Sequence, residues 1–196
     1  MAIKKYSKVK FTLRKELIII LSAIVVLVVA TILLNLPNEE EKFVTKWSEA
    51  GSSIVENRLY EEVSFDGLED ILAGKGANDV TFVLFATPSD ANSVTQFDAV
   101  MNYATTYELD KVYLVDSAFA LEGDREEDTD FDNQLKAIEE NFKDADGNTI
   151  KLDSVPNFWV FKGNVLVGAA DKYEVSGAID WNFALSQLLT NAKENA

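Results

Sequence analysis

Residues 154–169 read SVPNFWVFKGNVLVGA, the pattern of a hairpin that follows a proline. Residues 157–162 and 165–169 are apolar segments rich in β-branched and aromatic side chains, which favour strands. The Gly-Asn pair between them, at positions 163 and 164, favours a tight two-residue turn. The stretch therefore predicts two antiparallel strands, with Pro156 directly before the first of them.

The segment VTFVLFA at residues 80–86 lies upstream of this hairpin and is almost entirely apolar. A continuous apolar run of this length indicates a strand that is covered on both faces, so it is predicted to be central in a sheet. A turn at residues 87–90 follows. The next apolar side chains recur at helical spacing and predict a helix that ends near Glu108; they are Phe97, Val100, Met101 and Ala104.

The remaining elements alternate between strands and helices. Residues 59–64 and 111–116 are strand-like. Helical spacing predicts a helix capped by Ser64, a second over residues 131–142 and a third that begins at Trp181. The resulting order, β-α-β-α-β-α-β-β-α, predicts an α/β protein in which helices cover both faces of a mixed sheet.

This order resembles the thioredoxin domain, and three stretches carry the resemblance. Residues 80–97 look like the family's central strand, active-site turn and helix, and residues 111–117 look like the strand that follows. Val155 and Pro156, with the hairpin after them, look like its cis-proline loop. We therefore predict a thioredoxin-like three-layer sandwich over residues 59–196, whose narrower likeness is to membrane-anchored thioredoxin-like proteins of Gram-positive bacteria, including those associated with bacteriocin production.

The resemblance implies a Cys-x-x-Cys pair at the start of the helix after the central strand, and this chain departs from it. The pair would fall at residues 90–93 or at residues 89–92, and both registers are legible. Neither contains sulfur, and the whole chain has no Cys and no His. The acid that the family often carries on its central strand would fall near Leu84. We therefore predict a protein that is redox-inactive and is not an enzyme.

The resemblance also implies a groove that holds an extended polypeptide by backbone hydrogen bonds, with the Val155–Pro156 bond in cis. Its candidate residues are Ser89, Asp90, Ser93, Val155 and Pro156. The residues alone support a simpler interpretation, in which Ser89 or Asp90 caps the helix and Pro156 is an ordinary trans proline at a strand start. A groove of this kind can bind a peptide without any reaction.

The N-terminal part of the chain predicts a membrane anchor. Residues 1–16 carry six basic side chains and one acidic one, and residues 17–36 (LIIILSAIVVLVVATILLNL) carry no charge. As a helix, 20 residues span about 30 Å, the thickness of a bilayer's hydrocarbon core. A cleaved signal peptide is the alternative, but the run is longer than usual and no small-x-small site follows. The basic end is predicted to be cytoplasmic and the rest extracellular.

Residues 37–58 predict a juxtamembrane helix with one apolar face. Asn38 can cap it, and the apolar residues that follow are spaced by four, three and four; they are Phe43, Trp47, Ala50 and Ile54. This stripe either docks on the following domain or mediates self-association. The sequence leaves both open.

The charge of residues 37–196 is strongly negative, with 12 basic and 32 acidic side chains. Such a surface excludes nucleic acid as a partner, since binding to phosphates needs a basic patch.

Acidic clusters at residues 123–133 and 144–148 raise the alternative of calcium. The second lacks the Gly and Glu of an EF-hand, since Thr149 and Val155 stand there. The first cluster is predicted to be a solvated loop and the second a turn, and no metal or cofactor is predicted.

Together these observations predict a single-pass membrane protein whose thioredoxin-like domain binds an extracytoplasmic peptide or protein. Two alternatives stay open. The chain could serve as a non-catalytic accessory to a thiol-disulfide oxidoreductase, or it could be a calcium-dependent surface protein.

Overall fold

The structure is a computed structural model that describes residues 15–34, 37–117, 143–144, 147, 152 and 155–194; the side chains of residues 15–17, 32–34 and 143–144 are not described. The chain divides into two compact units, Met1–Glu39 and Glu40–Ala196. The helix predicted over residues 131–142 and the acidic cluster at residues 123–133 lie outside the described residues.

The described part of the first unit contains the helix α1 (Lys15–Leu34). Its described large apolar side chains, between Ile18 and Val29, are about half to two thirds exposed. The hydroxyls of Ser22 and Thr31 each donate to a main-chain carbonyl one turn back in the helix, at 2.8 Å, so these two hydroxyls are satisfied within the helix.

In the described part of the chain, no helix combines the length and the apolar character that crossing a membrane requires.

The second unit holds the remaining elements. Its described helices are α2 (Glu39–Glu49, whose first residue belongs to the other unit), α3 (Phe65–Ala73), α4 (Ala91–Tyr107) and α5 (Trp181–Glu194). The main sheet contains β1 (Tyr60–Glu62), β2 (Val80–Ala86), β3 (Val112–Asp116), β4 (Lys143–Asp144), β5 (Asn157–Lys162) and β6 (Val165–Ala169). A 3-10 turn (Ala170–Tyr173) leads into a separate small hairpin of β7 (Glu174–Val175) and β8 (Ala178–Ile179).

The sheet is mixed, with the strand order β1-β3-β2-β5-β6-β4. Strands β1, β3 and β2 are parallel, β5 is antiparallel to β2, and β6 is antiparallel to β5. This arrangement is a thioredoxin-like fold, as the sequence predicted. The bounds of β2, β5 and β6 coincide with the predicted segments, and β2 has a neighbour on each side.

The β2 side chains explain why its sequence is continuously apolar. Leu84 and Ala86 belong to a core that also contains side chains of α2, α4 and α5, whereas Val83 and Phe85 belong to a second core beneath α3. Successive side chains of a strand point to opposite faces, so both faces of β2 are buried. The described helices thus cover the two faces of the sheet.

Helix α2 packs inside the second unit through its apolar stripe. Trp47 is 1% exposed and its ring stacks on that of Phe97, with centroids 4.0 Å apart. Lys46 beside it forms ion pairs of 2.8 Å with Glu62 and Asp116. Burial alone would lower the pKa of Lys46, but these hydrogen bonds outweigh it and raise the pKa above its usual value.

Of the two alternatives for residues 37–58, the structure has the docked one. The predicted boundary at residue 59 differs from the observed one, since the compact unit already begins at Glu40. The reason is that Phe43, Trp47 and Ile54 complete its core. Self-association through this stripe would require α2 to leave that core.

Candidate functional site

The register of the sheet brings the two parts of the predicted site to one edge. The turn at residues 87–90 leaves the carboxyl end of β2. Strand β5 runs the other way, and Asn157 at its start is the partner of Phe85 near the end of β2. Pro156 therefore lies beside the turn, although about 70 residues separate them in the chain.

Asp90 is the N-cap of α4. Its carboxylate accepts a hydrogen bond from the Ser93 N–H at 2.7 Å, and its backbone is extended, with φ −117° and ψ 122°. A cap of this kind satisfies an otherwise free N–H and places negative charge at the positive end of the helix dipole. The capping interpretation of Asp90 is therefore confirmed.

Ser93 and Ser89 occupy different environments. Ser93 is fully buried in the first turn of α4, and its hydroxyl has no hydrogen-bond partner among the described residues. Ser89 is exposed, and its Oγ lies 3.0 Å from the Oγ1 of the buried Thr87. If the two cysteine positions of the family correspond to residues 90 and 93, the helix cap and a buried serine thus stand there. If they correspond to residues 89 and 92, two exposed side chains stand there.

The Val155–Pro156 peptide bond is cis, as the resemblance implied. Pro156 is buried and Val155 is half-buried. No described residue forms a hydrogen bond with the backbone N–H or carbonyl of Val155. The main-chain groups of Val155, two residues before the start of β5, thus pair with nothing in the described part of the chain.

A cavity of about 330 Å³ opens beside this residue pair, and we call it the cis-proline groove. It is lined by Asn92 of α4, by Val155 and Pro156, by four residues of the loop and hairpin at positions 174–179, and by Trp181 of α5. Of the predicted site residues, Val155 and Pro156 line this groove. Ser89, Asp90 and Ser93 are not among its lining residues, and Asn92 reaches it instead.

The β7–β8 hairpin and Trp181 are groove elements that the sequence reasoning missed. Ser176 and Gly177 form the hairpin turn, with φ values of 57° and 86°. A type I′ two-residue hairpin turn requires positive φ at both of its central residues, and the second of them here is a Gly. This Ser-Gly pair was the available signal, but the strands on either side have only two residues each.

The polar surroundings of the groove are acidic. Glu174 is the charged side chain among its lining residues, and it is exposed. Asp180, next to Trp181 in the chain, accepts a hydrogen bond from the Phe183 N–H at 3.1 Å at the start of α5. The two helix termini beside the groove are thus each capped by a carboxylate of this chain.

A larger cavity of about 480 Å³ lies elsewhere, between residues 53–60 and the carboxyl end of α4. None of the predicted site residues lines it.

Among the described residues, no three acidic side chains come together as a metal site. The acidic cluster at 123–133, and residues 145, 146 and 148 of the second cluster, lie outside the description, so the calcium alternative stays a prediction.

No protein-family model matches this chain, and no curated protein matches it. Solved structures do match. One is described as "a putative oxidoreductase with a thioredoxin fold"; it is 15% identical, the match covers 66% of this chain and 93% of that one, and the TM-score is 0.41. A designed protein is 17% identical over 69% of this chain and 96% of its own, with a TM-score of 0.39.

The first of these neighbours corrects one prediction. From the missing Cys and His we predicted that the chain is not an enzyme, and the description of this neighbour as an oxidoreductase contradicts that prediction. A likeness at 15% identity does not carry an activity over to this chain. The sequence still has no Cys, so no dithiol can come from its own side chains. The protein that fold and site define is thus a thioredoxin-fold protein with a groove beside its cis-proline.

Proposed function

We propose that this protein binds an extended polypeptide in the cis-proline groove, on the outer side of a membrane to which it is anchored. The observation that carries the proposal is the half-buried Val155, whose backbone no described residue pairs with, at the edge of a cavity of about 330 Å³. An extended segment can hydrogen-bond to such main-chain groups as an added strand would.

The lining of the groove favours a polypeptide. Alternate side chains of an extended segment point the same way, so a peptide held by its main chain needs pockets for every second residue. Ile179 and Trp181 supply half-exposed apolar surface, and Glu174 supplies a charge. Binding of this kind uses no thiol, which agrees with a chain that has no Cys.

The membrane location is supported by the sequence. Residues 17–36 carry no charge, and six basic side chains precede them. In this proposal residues 1–16 are cytoplasmic, and the acidic domain lies outside.

Site-specific cross-linking in native membranes tests the binding proposal. The full chain carries a photoreactive amino acid in place of Ala178, an exposed groove residue, and cross-linked partners are identified by mass spectrometry. Val155→Arg fills the groove with a long charged side chain and is expected to abolish cross-linking. Val55→Arg is the matched control, because Val55 is 87% exposed and lies outside the groove.

A partner that is captured by the wild type and the control but lost in Val155→Arg supports the proposal. A partner that persists in Val155→Arg, in protein that folds normally by circular dichroism, overturns it. If the captured partner is a cysteine-bearing oxidoreductase, the accessory alternative gains over general peptide binding.

A further inference from the structure

We infer that the occupant of the cis-proline groove is a cationic segment of another protein, an extended stretch in which a Lys or Arg stands two residues from an apolar side chain. This inference rests on the proposed function and adds the chemistry of the ligand.

The first support is the charge of the groove. Glu174 lines it, no described Lys or Arg does, and no described basic side chain forms an ion pair with Glu174. A basic side chain of a ligand would therefore be the partner that this carboxylate lacks in the described part of the chain. An acidic ligand would meet a like charge instead.

The second support comes from the helix termini. The start of a helix ordinarily attracts anions. Here Asp90 and Asp180 already accept hydrogen bonds from Ser93 and Phe183 in the first turns of α4 and α5. A carboxylate of this chain thus already stands at each of the two termini beside the groove, where it disfavours a second negative charge. The 32 acidic against 12 basic side chains of residues 37–196 add a field that attracts cations from a distance.

The spacing of the ligand follows from the hairpin. Glu174 and Ile179 are directly opposite each other in the β7–β8 pair, and such partners lie about 5 Å apart on the same face. In an extended ligand, side chains two residues apart share a face and lie about 7 Å apart. A basic residue that reaches Glu174 therefore places an apolar residue two positions away near Ile179 and Trp181.

The test is a selection from a random heptapeptide library on the full chain in lipid nanodiscs. We expect the selected peptides to be enriched in Lys or Arg two positions from an apolar residue. Exchange of that basic residue for Glu should weaken binding about fivefold at low salt and less at high salt. Glu174→Gln is expected to abolish the preference for basic residues, whereas Glu49→Gln, an exposed carboxylate outside the groove, keeps it.

The fluorescence of Trp181 locates the binding. Trp181 is half-buried in the groove, whereas Trp47 and Trp159 are 1% and 0% exposed. A bound peptide should therefore protect Trp181 from iodide quenching, and this protection should vanish in Trp181→Phe. Peptides selected without any charge preference would overturn the cationic inference and leave the proposed function standing. The same selection is run on Val155→Arg. If the wild type enriches no peptides that this variant does not also enrich, the proposed function itself is overturned.

Discussion

Asp90 is a predicted site residue whose described role is to cap a helix. The resemblance places this residue at the first or the second position of a Cys-x-x-Cys pair, depending on the register, yet its carboxylate accepts a hydrogen bond from the Ser93 N–H and does not line the groove. Ser93 is buried and its hydroxyl has no described partner. The described geometry of both residues is that of a helix start.

Removal of the cap gives a direct stability prediction. Asp90→Ala leaves the Ser93 N–H without its acceptor and should lower the free energy of unfolding by about 1 kcal/mol, measured by urea denaturation of the full chain. Asp90→Ser keeps an acceptor oxygen and should recover most of the loss. Equal destabilisation by Ala and Ser would show that the carboxylate does something other than capping.

Tyr60 should make the stability of the folded protein depend on pH in the alkaline range. Its ring is buried in the core, and its hydroxyl donates to the Phe97 carbonyl at 2.6 Å. Burial, with a smaller contribution from the Asp98 charge, raises the pKa of Tyr60 well above the usual 10.0. The unfolded chain therefore releases this proton first, near pH 10, and the native state keeps it.

The sign follows by linkage. A folded pKa above the unfolded one gives a contribution to stability that is complete below about pH 10 and is lost as the pH rises toward the folded value. Chemical denaturation between pH 8 and 11 should show this loss in the wild type and a smaller loss in Tyr60→Phe. Identical pH profiles for the two proteins would contradict the assignment.

At the scale of elements, α2 lies before residue 59, the predicted start of the domain, yet its side chains belong to the domain's core. Trp47 belongs to an aromatic cluster in which its ring stacks on Phe97 and lies tilted against Phe43, and Ser52 after the helix donates to Asp98 at 2.5 Å. These contacts fasten the segment before β1 to α4. The segment acts as part of the core and not as a spacer.

Trp47→Ala should therefore destabilise the whole second unit, by about 3–5 kcal/mol. Differential scanning calorimetry of the full chain would record the shift in melting temperature. Thr45→Ala, an exposed position on the same helix, serves as the control and should change stability by less than about 0.5 kcal/mol. A small effect of Trp47→Ala would mean that α2 undocks without loss to the sheet.

At the scale of the whole molecule, basic and acidic residues are concentrated in different parts of the sequence. Six of the 18 basic residues fall within the first 16 positions, and 32 of the 33 acidic ones follow residue 36. A basic end, an uncharged stretch and an acidic remainder suit a chain that places its two ends on opposite sides of a membrane.

The anchor prediction is tested on the full chain in cells. The wild type should stay in the membrane pellet through alkaline carbonate extraction. Val25→Arg combined with Val26→Arg should release it, because each Arg at mid-bilayer costs roughly 2.5–3.5 kcal/mol on an insertion scale. Val55→Arg adds the same charge outside the stretch and should remain in the pellet. Release of the wild type would contradict the anchor.

The sequence by itself determined the elements whose signals lie within a few adjacent residues. The continuous apolar run gave β2, the Gly-Asn turn gave the β5–β6 hairpin, and Ser64 capped α3 as predicted, with its hydroxyl accepting from the Gly67 N–H at 3.1 Å. Local backbone preference and side-chain periodicity suffice for these, because each depends on neighbours in the chain.

Only the tertiary structure decided the composition of the groove and the place of α2. Lys46 meets Asp116 across 70 residues, and Ser52 meets Asp98 across 46. The sequence could predict that α2 has an apolar face, but not which surface covers it. Likewise, Trp181 and the short β7–β8 hairpin share a groove with Val155 only because of the packing of α5 beside the sheet. Contacts of this kind depend on how distant segments fill a shared core, and no local pattern encodes that.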